Sequence, residues 1–108
     1  MAQDFRNALF REIGTSDQAL LAGGNYDAVI GIRCCNVTTS TIEVDVFIEN
    51  SSNDHFIAKG VVVPPNSAIE LIQGGAKIVL ENGDTLKAKS NTASSLDIVT
   101  SFIDSIST

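Results

Sequence analysis

The sequence predicts an all-β protein: a single-domain antiparallel β-sandwich, jelly-roll-like, of about eight strands with an N-terminal arm. Three observations carry that prediction. Turn-forming clusters recur at short, even intervals, from Gly14-Thr15-Ser16-Asp17 to Asn91–Ser95. The segments between them alternate apolar and polar residues, the period of a half-buried strand. The apolar set is mostly Val, Ile, Leu and Ala, with no Trp, one Tyr and five Phe, which suits a pleated sheet better than an aromatic pocket. A length of 108 residues fits one domain with one core. Within it, residues 1–24 are expected to form the arm and first strand, and residues 25–108 the sandwich body.

At the N-terminus Phe5, Leu9, Phe10 and Ile13 are roughly helix-spaced, yet Ala8-Leu9-Phe10-Arg11 reads equally as a strand. An arm or strand packed on the sandwich or on a partner is favoured. These four residues are the candidate assembly contacts, and deleting residues 2–13 is expected to leave a folded domain that no longer assembles. Gln18–Ala22 is too short to assign. Tyr26 to Val37 reads as a central strand, with Ile30, Ile32 and Cys34 on one side and Val29, Gly31, Cys35 and Val37 on the other.

Ile42, Val44, Val46 and Ile48 share one face of the next strand, opposite Glu43, Asp45, Phe47 and Glu49. Val61-Val62-Val63 is closed by Pro64-Pro65, which cannot donate to a ladder. Asn82-Gly83, between Ile78-Val79-Leu80 and Leu86, predicts a type I′ hairpin, because both residues accept positive φ. Leu86 and Ala88 then alternate with Lys87 and Lys89. Leu96, Ile98, Thr100 and Phe102 face inward in a last strand, with Asp97, Val99 and Ser101 opposite.

Charge and composition exclude several classes of function. The net charge of −6, with 7 basic and 13 acidic residues and no basic cluster, opposes binding to a phosphate backbone, so no nucleic-acid partner is expected. No apolar run is long enough to span a membrane as a helix, and the charged start Met1–Arg6 lacks a signal-peptide core. Synthesis in a reducing cytoplasm is the expectation.

Reactive constellations are not evident. His55 lies in a polar turn with Ser51, Ser52 and Asp54, and one His beside one exposed carboxylate makes neither a metal centre nor a triad. Glu43, Asp45 and Glu49 line one strand face without a calcium-loop pattern, and read as a solvated face that Lys87 and Lys89 neutralise. Gly23-Gly24 and Gly74-Gly75 read as turns, since no Lys-Ser/Thr follows. Cys34 and Cys35 are adjacent, so in a strand they point to opposite faces; one buried thiol and one outward thiol are expected, not a bonded or metal-binding pair. No catalytic residue, cofactor or metal is expected.

Several segments carry a resemblance: Ala28-Val29-Ile30-Gly31-Ile32, Cys35-Asn36-Val37-Thr38, Ile42–Ile48, Val63–Leu71, Lys77–Lys87 and Ser90–Asp97. In their order and spacing the chain resembles small virion structural proteins of tailed phages, including phages of cyanobacteria. The Cys34-Cys35 pair departs from the small apolar residue more usual there. The resemblance implies a non-enzymatic virion component, expected to be a capsid decoration (cement) protein stabilising the phage head. Its implied partners are copies of itself, as a trimer, and the major capsid protein. A neck or tail accessory subunit is the alternative. A host-surface carbohydrate-binding module is a second alternative, opposed by the lack of Trp and by Phe residues that mostly sit in apolar patterns.

Overall fold

The computed structural model describes residues 4–23, 27–72 and 77–104. Nine strands and no helix form among them: β1 (Asp4–Ile13), β2 (Gln18–Ala22), β3 (Asp27–Asn36), β4 (Ile42–Asn50), β5 (Asn53–Val63), β6 (Ala68–Glu70), β7 (Ile78–Leu80), β8 (Thr85–Ser90) and β9 (Leu96–Asp104). They make two antiparallel sheets. The first runs β1-β9-β3-β6, with the short β7 also on β3, and the second runs β2-β8-β4-β5. Without β7 these are two four-stranded sheets whose strands cross between layers in the order of a jelly roll.

Alternation in the sequence becomes burial in the sandwich. Ile42, Val44 and Val46 are fully buried, as are Leu86 and Ala88 on the neighbouring strand. They meet Ile32, Cys34, Leu96, Ile98 and Phe102 of the first sheet in one apolar cluster. Each such side chain, taken from water, contributes about 1.5–3 kcal/mol. Thr100 occupies an inward position of β9, and its hydroxyl finds no partner among the described residues.

Polar groups tie the loops down. Asn36 is fully buried at the end of β3; its amide donates to the carbonyls of Ser40, Val63 and Pro64 at 2.7, 3.0 and 3.1 Å. Its carbonyl accepts from the Thr38 backbone and hydroxyl at 2.9 and 2.7 Å. One side chain thus clamps the β3–β4 turn to the exit of β5, where Pro64-Pro65-Asn66-Ser67 turns with Asn66 at φ 53°.

The N-terminal segment is a strand packed on the sandwich, one of the forms the sequence favoured: β1 pairs with β9 from Asp4 to Phe10 and again at Ile13. The structure differs from the sequence reading in three places. In β3 a register break between Val29 and Gly31 shifts the alternation, so Val29 joins Ile32 and Cys34 in the core while Ile30 is only half-buried. Phe47 is buried despite its place among outward carboxylates. Asn82-Gly83 makes no hairpin, because β7 lies in the first sheet and β8 in the second.

That last turn carries positive φ at Gly83 alone (95°), and the Asp84 amide bonds back to the Glu81 carbonyl at 3.0 Å. This is type II geometry, which splays the flanking strands and sends the chain across the sandwich. The tight hairpin instead joins β4 to β5, where Ser51 and Ser52 both hold positive φ, at 53° and 66°. Tyr26 and the Gly74-Gly75 turn lie outside the described residues.

Candidate assembly surface

Among the described residues no three His, Cys, Asp or Glu side chains come together as a metal set. His55 is exposed at the start of β5. Cys34 and Cys35 are both free thiols on opposite faces of β3. Burial pushes the Cys34 thiol up to about 12, with the Glu70 carboxylate adding to the shift, so it stays protonated and inert.

The two outward faces differ in chemistry. On the second sheet, Asp45 stands opposite Lys89 and Phe47 opposite Lys87 in register. Lys87 pairs with Glu49, and that hydrogen bond raises the lysine above its ordinary value. Asp45 also accepts from the Gly60 amide at 2.7 Å, where β5 bulges. Phe47 is covered by Phe56 at a ring separation of 5.2 Å, and the Lys59 ammonium lies 4.3 Å from the Phe56 ring. On the face that looked acidic in sequence, Glu49 is therefore paired with Lys87 and Asp45 holds a backbone amide, while Phe47 is covered by Phe56.

Phe56 and Val62 of β5 remain partly exposed on the second sheet, and the first sheet presents the more exposed apolar residues outward. Phe5 is 77% exposed and Leu9 65%, both on β1, and Val99 beside Leu9 is 40% exposed. Register pairs Phe5 with Ile103 and Leu9 with Val99, and across β3 the Ile103 row continues through Ala28 to Val79. A shallow hollow beside Leu9, Arg11, Asp97 and Val99 is mostly apolar in lining. Charged groups of this sheet are mostly held in pairs: Arg33 with Glu70 at 3.0 Å, Arg6 with Asp104 at 3.1 Å, Arg11 with Glu12 at 2.6 Å.

Of the four expected contacts, the structure brings Phe5 and Leu9 together on this face. Phe10 packs against the core from the inner side of β1, and Ile13 is 3% exposed within it. Those two hold β1 to the sandwich. Removing residues 2–13 would strip β9 of its neighbour and the core of Ile13, so loss of folding replaces loss of assembly as its expected result. Val79 and Ile103 extend the apolar rows and were not singled out by sequence; their signal was the outward place of each in its strand.

No family model and no curated protein matches the chain. Among solved structures it is similar to a chain of the acid-stable capsid structure of the Helicobacter pylori bacteriophage KHP30. That likeness has a TM-score of 0.61 at 11% identity and covers 95% of this chain and 87% of that one. It is also similar to a chain of Bacillus endospore appendages, described as disulfide-linked pili, with a TM-score of 0.53 at 15% identity over 94% of this chain and 84% of that one. Identity this low establishes a shared fold.

Proposed function

We propose that this chain is a non-enzymatic structural subunit of a phage particle, and that within the particle it decorates the head as a cement protein. The observation that carries the reading is the outward apolar row around Phe5, Leu9 and Val99, which holds the two most exposed large apolar side chains among the described residues. Apolar surface left in water favours association by roughly 25 cal/mol per Å² covered, and a shell offers the same contact many times over. A capsid structure and a pilus both contain chains of this fold, which supports a role in repeated assemblies. A sugar-binding role is less favoured: the Phe56 ring already carries Lys59, so that ring offers no free platform.

Quantitative mass spectrometry of purified particles tests the reading. A molar ratio to the major capsid protein near one, or near a simple lattice fraction, is the expected result. A ratio of a few per cent would move the chain to the neck or tail, and absence from washed particles would overturn the virion role altogether.

A further inference from the structure

We propose that the edge of β1, open among the described residues, is completed by β1 of a second copy, antiparallel about a two-fold axis at Asn7. The inference rests on reading the chain as an assembling subunit and says how two copies meet.

An edge strand presents unpaired backbone donors and acceptors, and natural sheets guard such edges with bulges, charge or cover. β5, one edge of the second sheet, is guarded in this way. Its pairing with β4 breaks register twice, Gly60 adopts φ 65° and Lys59 stands exposed beside it. β1, one edge of the first sheet among the described strands, holds register with β9 from Asp4 to Phe10 without a break. Its first irregularity lies beyond, where Glu12 takes φ 55°. A regular strand with Phe5 and Leu9 outward is what a further strand can extend.

The side-chain order of β1 selects the occupant. Phe5, Asn7 and Leu9 share the outward face. With the axis at Asn7, Phe5 stands opposite Leu9 of the second copy, and Leu9 opposite its Phe5. Because Leu9 already neighbours Val99 and Phe5 neighbours Ile103, each half of the contact becomes a row of apolar residues crossing both copies. The two Asn7 amides meet at the centre and can donate to and accept from one another. Other registers lose this match. An axis at Arg6 sets two guanidinium groups opposite each other, and an axis at Ala8 sets Phe5 against Arg11 and Leu9 against Asn7. Edge pairing alone covers little area, so the contact is weak between free molecules and is strengthened where a lattice holds the copies together.

Cysteine cross-linking in a Cys35→Ser background tests the register, since Cys34 is buried. Opposed residues of antiparallel strands have Cα atoms about 4.5–5.5 Å apart, within disulfide range. Two copies of Leu9 would lie on the order of 14 Å apart along the strands, beyond it. Asn7→Cys is therefore expected to form a covalent dimer under mild oxidation at least roughly tenfold faster than Leu9→Cys. Mixing Phe5→Cys with Leu9→Cys copies should give the mixed disulfide, with neither variant cross-linking alone. All three positions are exposed, so a circular dichroism spectrum matching the parent confirms the fold. An Asn7→Cys protein that stays monomeric, or a Leu9→Cys protein that dimerises equally fast, would overturn the proposal. If these fail while particle stoichiometry supports a shell protein, the edge contact falls and the virion role stands.

Discussion

Phe5 and Phe47 both lie on outward faces of the sandwich, yet Phe5 is 77% exposed and Phe47 1%. The difference comes from their neighbours. Phe47 sits mid-sheet between β5 and β8, where Phe56 and the aliphatic stem of Lys87 flank it, and the bulged edge strand curls beside it. Phe5 sits on the last strand of its sheet, with Ile103 on one side and no strand on the other among the described residues. The second sheet covers Phe47 within one molecule, although Phe56 and Val62 of its edge strand stay partly exposed; the first leaves the more exposed Phe5 and Leu9 on a regular edge for something else to cover. Position in the sheet, rather than residue type, decides which aromatic is structural.

Substitutions can break or sharpen that contrast. The largest effect is expected from Phe47→Ala, which should lower unfolding free energy by about 3–5 kcal/mol in denaturant titration. A loss below about 1 kcal/mol would show the outer cluster to be dispensable. Cys34 against Cys35 repeats the contrast across one strand. The folded Cys34 thiol is raised to about 12 from 9.0, so the folded state holds its proton more tightly than the unfolded chain does. Its contribution is complete below pH 9 and is lost progressively as pH rises toward 12, at about 1.4 kcal/mol per pH unit. Stability at pH 10.5 should thus fall about 2 kcal/mol further in the parent than in Cys34→Val, and parallel alkaline curves would refute the assignment.

Smaller changes follow. Thr100→Val removes a buried hydroxyl without a partner among the described residues and should raise stability by about 1 kcal/mol, read as a higher denaturation midpoint. Replacing Ser51-Ser52 by Asn-Gly relieves two left-handed serines in the β4–β5 turn, for a gain also about 1 kcal/mol or less. Smallest of all, Phe5→Ala should change the stability of the free protein by under about 0.5 kcal/mol, since its side chain is mostly in water. A loss comparable to that of Phe47→Ala would erase the distinction between the faces.

Regular strands were legible in the sequence and irregular ones were not. Ile42 to Val46 and Leu96 to Phe102 alternate without a bulge, so period two alone placed them correctly. The break at Ile30 and the left-handed Glu12 add a residue to the pleat, and no composition signal marks where that happens. Phe47 looked outward and was, but its cover comes from Phe56 and Lys87, distant in sequence. Asn82-Gly83 gave a genuine turn; whether a turn closes a hairpin or crosses between sheets depends on strand partners outside it. Likewise Phe5 and Leu9 were visible as candidates because they are apolar near a terminus, while the inward direction of Phe10 and Ile13 depended on β9.

Hydrogen exchange of the chain, free and within its particle, tests most directly the claim that the first sheet carries the assembly contact. New protection concentrated in residues 4–13 and 96–104, with the β4–β5 hairpin unchanged, is the result expected. Protection confined to the second sheet, with β1 exchanging as in the free protein, would contradict the account.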